Sequence, residues 1–309
     1  MRFELRRAAH WHRPLMFLVA AMAVIAVACV VGIVVDSRVL TGSPIWLKPF
    51  KFAVSFVLYG TTLAWMLSLL PRRIRAAEWA ATVIVAMAVV ELALMVVQVA
   101  RGTTSHFNGT TPLNGIIFAA MGASITILFL AHLVIGIVVL IQRIPDRVAA
   151  TAVAWGLGLS LLGMLLAVPM MLPTQNPGIE GISGAHSVGV TDGEAGLPMV
   201  GWSTIGGDLR IGHFVGLHAL QALPILAILL NRFATRLDER TRARLLVVAG
   251  AAFGVLTLLL TWQALRGQPL LRPDALTLVA VAALAVATAT AAGRVLARGR
   301  RHPDLALAA

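Results

Sequence analysis

Apolar residues in this chain do not alternate with polar ones. They come in long unbroken runs separated by short stretches that hold most of the charge. Eight runs, about 15–35, 50–70, 78–100, 113–141, 152–172, 210–230, 245–265 and 276–297, approach or exceed the roughly 20 residues that carry a helix across a bilayer. In lipid a spanning segment must satisfy its own backbone polar groups, so each run is expected to be a helix. The pattern predicts an all-α fold: a polytopic membrane helix bundle of about eight transmembrane helices, forming a single integral membrane domain over residues 1–309. Four polar intervals then share the outer side: 36–49, 101–112, 173–209 and 266–275. The third is long, carries nine glycines with Pro177, Pro198 and His186, and fits either a partly ordered lid over the outer mouth or a floppy loop.

Composition agrees. Hydrophobic residues make up 59% and charged residues 12% of the chain, against about 25% charged in soluble domains. The net charge of +12 is no sign of nucleic-acid binding, because the charges sit in short loops. Eighteen of the 25 lysines and arginines fall on the side that holds both termini and the loops near 71–77, 142–148 and 231–244. The positive-inside rule then puts both termini in the cytoplasm, in a bacterial cytoplasmic (inner) membrane with the lipid bilayer as partner. The first apolar run is too long for a signal-peptide core and is expected to stay as an anchor. A single cysteine, Cys29, excludes an internal disulfide.

Only two lysines and one tyrosine occur, and all three share one helix face. Lys48, Lys51, Ser55, Tyr59 and Thr62 follow one another at spacings of three and four. Lysines that persist in so arginine-rich a chain point to a use for a compact, titratable ammonium. Ionisable groups inside a span cost a few kcal/mol and mark function. Three stand out here: Glu91 on the third run, His132 on the fourth and His218 on the sixth. Counted from the cytoplasmic ends, they lie at depths of roughly 20, 15 and 20 Å. They could meet as a two-histidine, one-carboxylate metal site, or the histidines could be axial ligands of haem b.

A second polar layer lies nearer the outside. Gln98 and Arg101 continue the Glu91 face, Asn114 shares the His132 face, and His106 and Asn108 stand in the 101–112 interval. Arg210, His213, His218 and Gln221 fall within an arc of about 140° on the sixth run. The layers describe an outward-facing funnel, basic at its mouth, between the second, third, fourth and sixth helices. Glu91, His218, Lys51 and Tyr59 are the candidate catalytic groups. Lys48, Ser55, Gln98, Arg101, His106, Asn108, Arg210, His213 and Gln221 are the candidate binding groups. The pairs Gly212/Gly216 and Gly250/Gly254 suit close helix packing.

Three segments carry a resemblance: Ile45-Trp-Leu-Lys-Pro-Phe-Lys-Phe52, Arg101-Gly-Thr-Thr-Ser-His-Phe-Asn108 and Asp208-Leu-Arg-Ile-Gly-His-Phe-Val-Gly-Leu-His-Ala-Leu-Gln221. Together they resemble a family of uncharacterised bacterial integral membrane proteins with no established activity. The resemblance covers helices two to six and implies that these residues form one site. It implies no substrate. Three functions fit the residues: a haem- or metal-dependent redox protein or enzyme, a proton-coupled transporter or channel for an anionic solute, and a cofactor-free enzyme acting on a lipid or isoprenoid headgroup. In each the small-molecule partner is anionic or lipid-like.

Overall fold

A computed structural model describes residues 11–172 and 181–300, with Arg300 as backbone only. Among the described residues eight helices are long and apolar enough to cross a membrane. They are α1 (Arg13–Val35), α2 (Leu47–Ser68), α3 (Arg75–Ala100), α4 (Pro112–Gln142), α5 (Arg147–Leu165), α6 (Arg210–Phe233), α7 (Glu239–Leu265) and α8 (Ala275–Arg300). Two helices begin about a turn and a half before their apolar runs, because capping chemistry sets a helix end. The Asp146 carboxylate accepts from Ala149 N–H at the start of α5, and Asp238 accepts from Thr241 N–H at the start of α7. At α4 the Thr111 hydroxyl accepts from Asn114 N–H and Pro112 opens the first turn.

The helices pack chiefly as neighbours: α1 on α2, α3 on α4, α5 on α6, with α7 against both α5 and α6 and α8 resting on α7. The closest approach is backbone on backbone. A Cβ placed on Gly163 of α5 would overlap the Leu217 nitrogen, and one on Gly216 would stand 2.6 Å from Gly163 Cα. Gly212 in the same way admits Thr261 of α7, while Gly250 receives the Trp155 ring. Both small-residue pairs are packing positions.

The outer segments are folded. Two short hairpins, β1 (Val39–Leu40) with β2 (Ser43–Pro44) and β3 (Ser187–Val188) with β4 (Gly207–Asp208), are antiparallel. Of the long interval 173–209, residues 173–180 lie outside the described residues, and 181–209 form an ordered cap. Gly109 N–H donates to Gly181 O at 2.7 Å, and Ser183 N–H to Phe107 O at 2.9 Å. Leu209 N–H closes back on His186 O at 2.9 Å. Gly42 and Gly193, both at positive φ, let the cap touch the first hairpin where a side chain would not fit.

Candidate functional site

The segment 101–111 turns inward instead of crossing the surface. Ser105, Phe107 and Asn108 are buried, with Asn108 fully enclosed. Non-helical backbone is tolerated at such depth only when protein or a polar cavity satisfies it. Here side chains do so. Asn108 Nδ2 donates to Thr104 O at 2.8 Å and Thr103 Oγ1 at 2.9 Å, while its Oδ1 accepts from Thr110. Arg101 donates to Gln98 Oε1 at 2.8 Å and Asn114 Oδ1 at 2.9 Å, and Gln98 donates to Asn114. Gln98 and Asn108, which the sequence suggested as binding groups, thus have their hydrogen-bonding capacity engaged in holding the turn, while exposed Arg101 contributes one of its guanidinium nitrogens.

That turn delivers His106 to Glu91. His106 Nε2 stands 3.6 Å from Glu91 Oε1, and the Glu91 side chain is fully buried. Oε1 has no hydrogen-bond partner among the described residues, while Oε2 lies 3.2 Å from Ser124 Oγ of α4. Ser124 has one hydroxyl proton, and Met121 O is nearer at 2.9 Å. A protonated Glu91 would resolve this competition by donating to Ser124 Oγ while Ser124 donates to Met121 O.

Above this pair the cap and helix ends add charge. His186 Nδ1 lies 2.6 Å from Asp192 Oδ2, and the backbone N–H groups of His186 and Ser187 donate to the same carboxylate. His213 Nδ1 lies 2.7 Å from Gly163 O. A carbonyl only accepts, so Nδ1 carries a proton, and in the neutral ring Nε2 is then an acceptor. Burial holds the His106 imidazole well below the ordinary histidine range, and Lys48, His186 and His213 push the same way. Lys48 thus acts on both His106 and Glu91.

The basic mouth divides into anchors and one less constrained cation. Lys51 Nζ donates to Val200 O of the cap at 3.1 Å. Arg210 grips Asp208 through two nitrogens and also donates to Gly201 O. Lys48 makes no hydrogen bond or salt bridge with any described residue, yet it feels the charges of Glu91, Arg210, Lys51 and Asp192. Of the two lysines, Lys51, which the sequence favoured, is held by the cap, and Lys48 is not.

Several expected neighbours do not meet. His132 is fully buried, with Nδ1 2.8 Å from Tyr59 OH and the two rings stacked. Tyr59 is thereby engaged away from Glu91. His218 is exposed and its Nδ1 lies 3.2 Å from Gln221 Oε1, whose amide nitrogen reaches Thr62 at 3.4 Å. Among the described residues no group of three His, Cys, Asp or Glu side chains is placed to hold a metal ion. The set Glu91, His132 and His218 is therefore corrected: each member has a different partner. For haem the two histidines differ: His132 Nε2 is buried without a hydrogen-bond partner among the described residues, whereas His218 is exposed. Ser55 is half-buried on the stripe. The placing of His106 could be read from sequence only as a polar residue in an outer interval, since nothing there signals an inward turn.

The chain matches no protein family, no curated protein and no solved structure.

The cap should respond to acid. Burial alone would raise the Asp192 carboxyl, but the hydrogen bonds and charge of His186, with the N–H groups of His186 and Ser187, hold it below the usual carboxylate range. A depressed carboxyl stabilises the fold above its unfolded value, about 3.9, and that contribution is lost as pH falls through the folded value. Hydrogen exchange of the His186 and Ser187 amides, corrected for intrinsic rate, should show constant protection from pH 7 to about 5 and a decline below about 4. Equal protection at pH 7 and pH 3 would contradict this role.

Proposed function

We propose that this chain is a transporter of the bacterial cytoplasmic membrane, with both termini in the cytoplasm, that moves a small anion together with a proton. The observation that carries the reading is Glu91, a buried carboxylate placed against Ser124 and the imidazole of an inward-turning outer segment. Such a group can hold or release a proton within the bundle. Lys48 supplies the link to the solute. Its ammonium attracts Glu91 and has no hydrogen-bond acceptor of its own among the described residues. An anion pairing with Lys48 competes with Glu91 for that charge, and a proton arriving on Glu91 relieves the competition. Anion and proton thereby favour each other's binding, a reciprocity that any such coupling must obey.

Uptake into proteoliposomes tests the reading, with chloride, inorganic phosphate and small carboxylates as the probe anions. Lys48→Gln is expected to raise the half-saturating anion concentration by ~10-fold, the effect of losing about 1.4 kcal/mol of binding. Lys51→Gln, which loosens the cap without touching the anion, should change it by less than ~3-fold. Equal effects of the two variants would remove Lys48 from the binding role.

A second reading rests on the His186–Asp192 pair. With Nδ1 facing the carboxylate, His186 Nε2 is available as a base, which suits a cofactor-free enzyme acting on a lipid headgroup. Release of a water-soluble headgroup from bilayer lipid without any gradient would favour it.

A further inference from the structure

At the opposite, arginine-rich end of the bundle lies a second feature, independent of the polar site. A cavity of about 540 Å³ opens between the N-terminal turns of α5 and α7, lined by Arg147, Arg240 and Arg244 with Ile144, Thr151 and Val247. The three arginines are exposed, and none of their guanidinium groups has a hydrogen-bond partner among the described residues. Nearby acids are already engaged. Asp146 and Asp238 cap the two helices, and Glu239 accepts the Arg147 backbone N–H at 2.8 Å. Asp238 also feels the charges of Arg240 and Arg244, so the cavity is lined by basic groups with acids at its edge.

A further feature lies along α5. A second, apolar hollow of about 230 Å³ is lined by Ala154, Trp155, Gly158 and Leu159. Positions 147, 150, 151, 154, 155 and 158 follow the three- and four-residue spacing of one helix face. From Arg147 to Gly158 the helix rises about 16 Å, close to half the roughly 30 Å hydrocarbon thickness. Three guanidiniums at the polar boundary above an apolar slot one leaflet deep match one ligand shape.

We propose that this face of α5 binds an anionic phospholipid of the leaflet at the arginine-rich end, its phosphate held by Arg147, Arg240 and Arg244 and an acyl chain lying over Ala154 and Gly158. Arginine pairs with phosphate through two parallel N–H bonds, and basic pockets between helices are suited to anionic headgroups. A free phosphate would use the same guanidiniums but gain nothing from the slot.

The test is lipid retention by purified full-length protein in detergent, measured by native mass spectrometry with added phosphatidylglycerol or phosphatidylcholine. Phosphatidylglycerol should be retained at least ~10-fold better than phosphatidylcholine, and Arg147→Gln/Arg240→Gln/Arg244→Gln should abolish the preference. Gly158→Leu is the second variant. A Cβ there meets no atom within 4 Å, so the leucine fills the slot without crowding the helices. It should weaken phosphatidylglycerol retention and leave binding of inorganic phosphate unchanged. Equal retention of the two lipids by the parent protein would overturn the proposal, as would unchanged preference in the triple variant. Loss of phosphatidylglycerol to millimolar inorganic phosphate would overturn the lipid assignment in favour of a soluble anion. Uptake of anions at the outer site is a separate readout, so failure here and failure of the transport reading are distinguishable.

Discussion

Glu91→Gln is expected to abolish proton-coupled uptake while the protein still folds and inserts. Glutamine keeps the size of the side chain and can still hydrogen-bond Ser124, so the packing of α3 on α4 is preserved. It cannot take up the proton, and it presents no charge to Lys48. The loss should be ~100-fold or more, the scale on which removing a positioned acid–base group acts. His218→Ala is the matching control. Its side chain is exposed and bonded to Gln221, so uptake should stay near the parent rate. Initial rates of anion uptake under an imposed pH gradient measure both. A His218 variant as inactive as the Glu91 variant would place His218 in the working site beside Glu91.

Gly163→Val should be the most damaging substitution for the fold. Gly163 sits where α5 and α6 touch through their backbones: its ideal Cβ would overlap Leu217 N and stand 2.6 Å from Gly216 C and 2.9 Å from His213 O. Backbone atoms cannot move aside as a side-chain end can, so the helices must separate. Overpacking of this kind costs about 3 kcal/mol or more. The melting temperature should fall by about 6–12 °C. The same separation breaks the 2.7 Å contact of His213 with Gly163 O, so it also disturbs the polar site. Gly122→Ala in α4 provides the contrast, because a Cβ there meets nothing within 4 Å. Its melting temperature should not fall, since alanine favours a helix over glycine.

The bundle was legible in the sequence because lipid imposes a simple code. Length and apolarity alone located all eight helices to within about two turns, and the cap residues Asp146 and Asp238 set the two starts that differ most. Part of the candidate site was legible for the same reason, since Glu91 and Lys48 stand out as charges on apolar helices. Its connectivity was not. Depth along a helix says how far a residue lies from the surface, but not which way it faces. Glu91, His132 and His218 have compatible depths and yet serve three different partners. The decisive contact comes from a loop. His106 reaches Glu91 because Asn108, Arg101 and Gln98 bond the 101–111 segment inward, and such side-chain-to-backbone bonding has no periodic signature. The two lysines illustrate the same point. They are one helical turn apart, but Lys51 meets a cap carbonyl from a distant part of the chain and Lys48 does not.

The most direct test of the central claim is proton counting. Proteoliposomes holding a pH-sensitive dye and the parent protein receive an external pulse of each probe anion, with anion uptake and internal pH followed together. The account predicts internal acidification in step with uptake, at about one proton per anion when Glu91 is the single carrier, and no acidification in Glu91→Gln. Uptake without any change of internal pH, or acidification that persists in Glu91→Gln, would contradict it.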